Sequence, residues 1–184
     1  FSAKVNLTDE LQRFEDLEIA IGGASLLGRL ERESRADAAP TLSAQLHGNE
    51  IQLESLQALA GLFAGAASFS TLLEHSIALD LKADRFVAFD ESAAGVNAVL
   101  SVNDGQLTLS RFTVASLEGA ALSAKGMLGG SLLAPDGRLD LTVKAASMQP
   151  FADLLVRHFP AHPALARFAA NAGYFDNADL SLKA

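Results

Sequence analysis

His158 and His162 stand four residues apart, the spacing at which one face of a helix can offer two imidazoles to a metal ion. Pro160 lies between them and breaks such a helix, and no third ligand keeps a usual interval. Helix-terminal or solvated histidines are the plainer reading. His47 is expected at a strand end and His75 at a helix end, neither with a partner close in sequence. Glu15, Asp16, Glu18, Asp80, Asp84, Asp90 and Glu91 could supply an acid/base pair or a calcium site, yet none forms the Asp-x-Asp-x-Asp-Gly pattern of a calcium loop. They read as a solvated sheet face and turns. Gly22-Gly23-Ala24-Ser25 and the run Gly126 to Ser131 lack the Gly-Lys-Ser/Thr ending and the strand-to-helix setting of a phosphate loop. No Gly-x-Ser-x-Gly elbow or Ser/His/Asp set is visible. The expectation is therefore a non-enzymatic chain with no catalytic, metal or cofactor residue. A hydrolase would have to gather its site from scattered positions.

Composition narrows the partners. The chain has 184 residues, 49% hydrophobic, enough to bury a substantial core. Fourteen basic residues face 22 acidic ones, for a formal charge of -8 with no Lys/Arg cluster, so a nucleic-acid backbone would be repelled. No cysteine is present, which excludes disulfides and thiolate ligands. Ser55 to Leu73 carries no charge over 19 residues, but its Gly, Ser and Ala content favours a buried helix-turn-helix connection over a membrane span.

The elements that would position any site follow from hydrophobic period. Ile77/Leu79/Leu81/Ala83 alternate with Ala78/Asp80/Lys82/Asp84, and Leu139/Leu141/Val143/Ala145 with Asp140/Thr142/Lys144, as strands with one apolar face do. Asn103-Asp104-Gly105 and Pro135-Asp136-Gly137 are expected turns, and Ala38-Ala39-Pro40 an expected loop tip. After Met148 the period becomes helical, with Phe151, Leu154, Leu155 and His158 on one stripe and a second helix from Pro163 carrying Leu165, Phe168 and Ala169. Leu56, Leu59, Leu62 and Phe63, then Phe69, Leu72 and Leu73, are the earlier counterparts.

The chain also nearly repeats itself at about 98 residues. Arg13-Phe14 returns as Arg111-Phe112, Gly22–Leu30 as Ala120–Leu128, and Ala39-Pro40 as Ala134-Pro135; Leu79–Ala83 is echoed by Leu180–Ala184. The fold class expected is α+β and β-rich: tandem curved antiparallel meander sheets of about five strands, each followed by a short helical pair. Residues 1–75 read as a partial unit, 76–173 as a complete one and 174–184 as the start of a third, in a piece of a longer protein. Strand glycines recurring at matching positions read as architecture.

What remains is the apolar side of the strands. It is either covered by the helices or left open as a groove continuing from unit to unit. By position, the candidates to line such a groove are Leu79, Leu81, Ala98, Leu100, Leu107, Leu109, Leu122, Leu139, Leu141 and Val143.

The runs Leu17–Ala24, Asp104–Leu109 and Gly119–Gly126, with the Pro turns and Leu-x-Leu strands after them, resemble the C-terminal region of AsmA-like proteins. That resemblance implies a periplasmic protein of Gram-negative bacteria, held in the inner membrane by a segment outside this sequence. It further implies kinship with bridge-like lipid transfer proteins, whose curved sheets carry phospholipid toward the outer membrane. The expected partners are then phospholipid and neighbouring repeats of the same chain. The alternative is a structural or protein-binding β module with covered sheets.

Overall fold

The computed structural model describes residues 2–21, 24–35, 38–64, 76–131 and 134–183. Ten strands form one sheet in chain order: β1 (Ser2–Leu7), β2 (Leu11–Ile21), β3 (Ala24–Arg35), β4 (Ala38–Gln52), β5 (Ser76–Ala88), β6 (Glu91–Asn103), β7 (Gln106–Leu117), β8 (Ala120–Ser131), β9 (Ala134–Ala145) and β10 (Asp179–Lys183). The β-rich α+β class and the meander are as the alternation predicts. The strands do not, however, divide into separate sheets of five. β4 and β5 pair in parallel from Thr41↔Ser76 to Gln52↔Val87, joining both sets into one surface, while every other neighbouring pair is antiparallel.

Among the described residues, three two-residue turns close hairpins: Phe89-Asp90, Asp104-Gly105 and Glu118-Gly119, each with positive φ at both positions, the geometry that matches strand twist. Asp104-Gly105 is the expected turn. The proline turns are corrected. Pro135, Asp136 and Gly137 lie inside β9, paired with Gly130, Gly129 and Leu128. The described residues of β10 pair with Asp140–Lys144, so among the described residues Pro135 interrupts no ladder on that side. Ala38, Ala39 and Pro40 lie inside β4, where the register shifts between Glu33↔Thr41 and Arg35↔Ala38, and a bulge likewise tolerates proline. The links at 36–37 and 132–133 fall outside the described residues.

Near one end of the sheet, four adjacent strands each insert one extra residue at the same level. The spacing on this side goes from two to three between Gly48 and Ile51, Ala83 and Phe86, Val96 and Ala93, and Val114 and Leu117, and all of these but Gly48 belong to one hydrophobic cluster or pack against it. The pairs Ile51↔Phe86, Phe86↔Ala93 and Ala93↔Leu117 keep the insertion in step. Gly95 is the extra residue of β6, at φ +61, and a Cβ there would lie 2.7 Å from that of Ala115. In β4 the extra residue is Asn49, whose Oδ1 accepts hydrogen bonds from the Ser25 and Glu50 backbone N–H groups at 2.7 Å. The offset keeps the apolar side apolar through the kink.

Two helical excursions leave the sheet at this same end. Helix α1 (Leu53–Ala64) follows β4, with Glu54 in its first turn and Leu56 and Leu59 against the cluster. The side chains of Leu62 and Phe63, and residues Phe69, Leu72, Leu73 and His75, fall outside the described residues. Helices α2 (Gln149–His158) and α3 (Pro163–Ala170) follow β9, each with proline in its first turn as expected. Phe151, Ala152 and Leu154 bury against Ala120, Val143, Ala145 and Met148, with Phe168 and Ala169 packed on the outside. Asp176 Oδ1 accepts a 2.8 Å hydrogen bond from the Met148 N–H, tying the return segment to the start of α2. Among the described residues, no helix is long and apolar enough to cross a membrane.

The repeated segments fall on β2 and β7, β3 and β8, and β4 and β9. The third echo breaks the pattern. Leu79–Ala83 runs parallel to β4, whereas Leu180–Lys183 runs antiparallel to β9, because α2 and α3 bring the chain back to the end it left.

Candidate functional site

Pairing brings all ten candidate aliphatic residues onto one side of the sheet. One row of laterally paired residues runs Leu17, Gly28, Leu46, Leu81, Ala98, Phe112, Ala124, Leu141, Leu182, from β2 to β10. The next runs Val5, Phe14, Leu30, Ala44, Leu79, Leu100, Leu109, Gly126, Leu139. Toward the helical end lie Ala83, Val96, Val114, Leu122, Val143 and Leu180; away from it lie Leu42, Ile77, Val102, Leu107 and Leu128. Bulges in β2 and β7 let Phe14 with Leu17, and Leu109 with Phe112, share this side despite odd spacing. At a strand separation of about 4.8 Å, ten strands make an apolar surface of about 43 Å across.

The surface is covered unevenly. Val143 is buried beneath α2, with Leu122 and Leu141 packed at the margin of that cluster. Leu81 and Ala98 are buried in the larger cluster, and Leu79 lies against it. Leu100, Leu107, Leu109 and Leu139 belong to neither cluster and are half-buried, with no described helix over them. Val102, paired between Ile77 and Leu107, is 2% exposed although it too belongs to neither cluster. A wide twisted sheet also coils about its own axis, which brings side chains on one face together.

No family model, no curated protein and no solved structure matches the chain.

The residues weighed for catalysis are dispersed. His47 lies within β4 on the polar side, paired with Leu27 and Lys82, not at a strand end. Around it, Asn49, Lys82, Asp84 and Asn97 line an open depression of about 410 Å³. Asn97 Oδ1 is buried there without a hydrogen-bond partner. Glu91 binds Arg157 and, at 3.3 Å, His158, fastening the end of α2 to the turn between β5 and β6. His158 also meets the Phe89 ring edge at 6.5 Å. Asp16 sits in the β2 bulge and pairs with Lys4 at 2.6 Å. The Asp16 hydrogen bond and negative charge raise the pKa of this exposed lysine above its ordinary value. Among the described residues no group of His, Asp and Glu is arranged to hold a metal ion.

One polar residue on the apolar side was missed in the sequence. Arg32 continues the β3 alternation Leu26, Gly28, Leu30, and stands between Gln12 of β2 and Leu42 of β4. Its Nε is buried and has no hydrogen-bond partner. The readable signal was a charge in an apolar register position.

Proposed function

We propose that this chain is a non-enzymatic module of an AsmA-like cell-envelope protein, contributing an apolar β-sheet trough to phospholipid transport or outer-membrane assembly. The observation that supports this reading is the unbroken lateral pairing of apolar residues from Leu46 in β4 to Leu141 in β9, beside a row in which Leu100, Leu109 and Leu139 have no described helix over them. At about 25 cal/mol per Å² of apolar surface, an acyl chain along that part would gain several kcal/mol on leaving water. The reading places the module in the periplasm, joined to the inner membrane through sequence outside this chain.

A structural or protein-binding role is the second reading, favoured by the α2 and α3 cover over Val143 and Ala120. Solvent extraction of protein purified without detergent, with uptake of a fluorescent phospholipid, separates the two. Co-purifying phospholipid and saturable uptake are expected. Neither extracted lipid nor uptake would leave the structural role.

A further inference from the structure

A bulge bends its strand, and where β4, β5 and β6 bend together the polar side of the sheet holds the open depression of about 410 Å³. Gly48 and Gly95 line part of it and bring no side chain into it. Leu27, His47, Lys82 and Asn97 stand side by side on β3 to β6, and Asp84 follows two residues along β5 on the same side. His47, Lys82 and Asp84 are exposed and so open to a ligand. Elsewhere on this sheet neighbouring opposite charges do pair, Lys144 with Asp179 and Arg85 with Glu50. In the depression they do not: among the described residues His47, Lys82 and Asp84 make no ion pair or hydrogen bond, and the Asn97 amide oxygen has no donor. A ligand of one sign would meet its like there, since Asp84 repels a lone anion and Lys82 a lone cation.

We propose that this depression binds a free α-amino acid with an apolar side chain. Its carboxylate lies between Lys82 and His47, its ammonium against Asp84 and the Asn97 oxygen, and its side chain along Leu27. Lys82 and Asp84 are about 7 Å apart along the strand, a gap that the two ends of an α-amino acid bridge with one charge-assisted hydrogen bond of about 2.8 Å on each side. The site is on the side of the sheet opposite the trough and does not depend on it.

The test is a titration of isotope-labelled protein followed by amide chemical shifts. Its probes are L-leucine, L-leucinamide, which lacks the carboxylate, and isocaproate, which lacks the ammonium. Expected is saturable leucine binding that moves the signals of 47–49, 82–84 and 95–97 together, with either analogue binding about threefold to fivefold more weakly, the scale of an exposed ion pair. Lys82→Gln should weaken leucine and isocaproate but not leucinamide; Asp84→Asn should weaken leucine and leucinamide but not isocaproate. Isocaproate binding as tightly as leucine would overturn the ammonium contact, and leucinamide binding as tightly would overturn the carboxylate contact. No saturable shift in these segments with leucine would overturn the site and leave the trough standing. A circular dichroism melt of each variant keeps unfolding from passing as lost binding.

Discussion

Gly28 and Gly126, 98 positions apart, occupy the same place in two strands: each lies flat against the backbone of the strand that follows. A Cβ at Gly28 would collide with the Gln45 carbonyl oxygen, and one at Gly126 with that of Arg138. Gly28→Ala and Gly126→Ala should each lower stability by about 1–3 kcal/mol, the range for overpacking. Urea denaturation followed by circular dichroism measures this. An unchanged midpoint for either variant would show that its strand can shift aside.

The apolar side should divide by mutation into a core and a binding surface. Leu81 is 4% exposed, so Leu81→Asp is expected to prevent folding, while Leu100 and Leu109, half-buried and directly paired, should tolerate Asp at about 1–3 kcal/mol each. The folded Leu100→Asp and Leu109→Asp variants should lose most phospholipid uptake. Uptake equal to wild type in both would move the binding surface elsewhere.

One turn carries the wrong residue for its geometry. Phe89 has φ +53 and is 72% exposed, although a bulky side chain at positive φ costs about 1–2 kcal/mol. Asn suits that position, so Phe89→Asn should raise the melting temperature, less whatever the edge contact with His158 contributes. Differential scanning calorimetry decides the sign.

The helical cover should loosen apart from the sheet. Met148 is fully buried beneath α2, and Met148→Ala should cost about 2–5 kcal/mol through the cavity left behind. Asp176→Ala removes the carboxylate that receives the Met148 N–H, and should cost about 1–3 kcal/mol. Hydrogen exchange should quicken in 149–175 while β5 to β7 keep their protection. Uniform loss of protection would mean that cover and sheet unfold together.

Period-two alternation made β5 to β9 legible, since side-chain direction follows directly from it. The Asp104-Gly105 turn and the proline-started helices α2 and α3 were legible for equally local reasons. Pro40 and Pro135 misled because proline marks turns only on average, and a bulge or a strand side with no described ladder accommodates it equally well. Phe89-Asp90 carries no turn signal at all, because its conformation is imposed by the strands on either side. The parallel union of β4 with β5 is a long-range pairing that no local pattern announces. The ten groove candidates could be placed on one face from parity, but which of them lie beneath helices depended on where α1 and α2 pack. Arg32 is a single charge in an apolar register position, and no local motif marks it.

The parallel pair has a consequence at the two margins of the sheet. With one same-sense pair among nine, β1 and β10 point in the same direction, whereas ten strictly alternating strands would end in opposite ones. Strand sense, facing and left-right order are linked by chirality, so two such sheets joined β10 to β1, with their greasy sides matched, must meet in parallel. Antiparallel joining with matched sides is available only between like margins, through a two-fold axis normal to the sheet. A single pairing midway through the sheet thus sets the sense in which any strand added beside β1 or β10 would have to run.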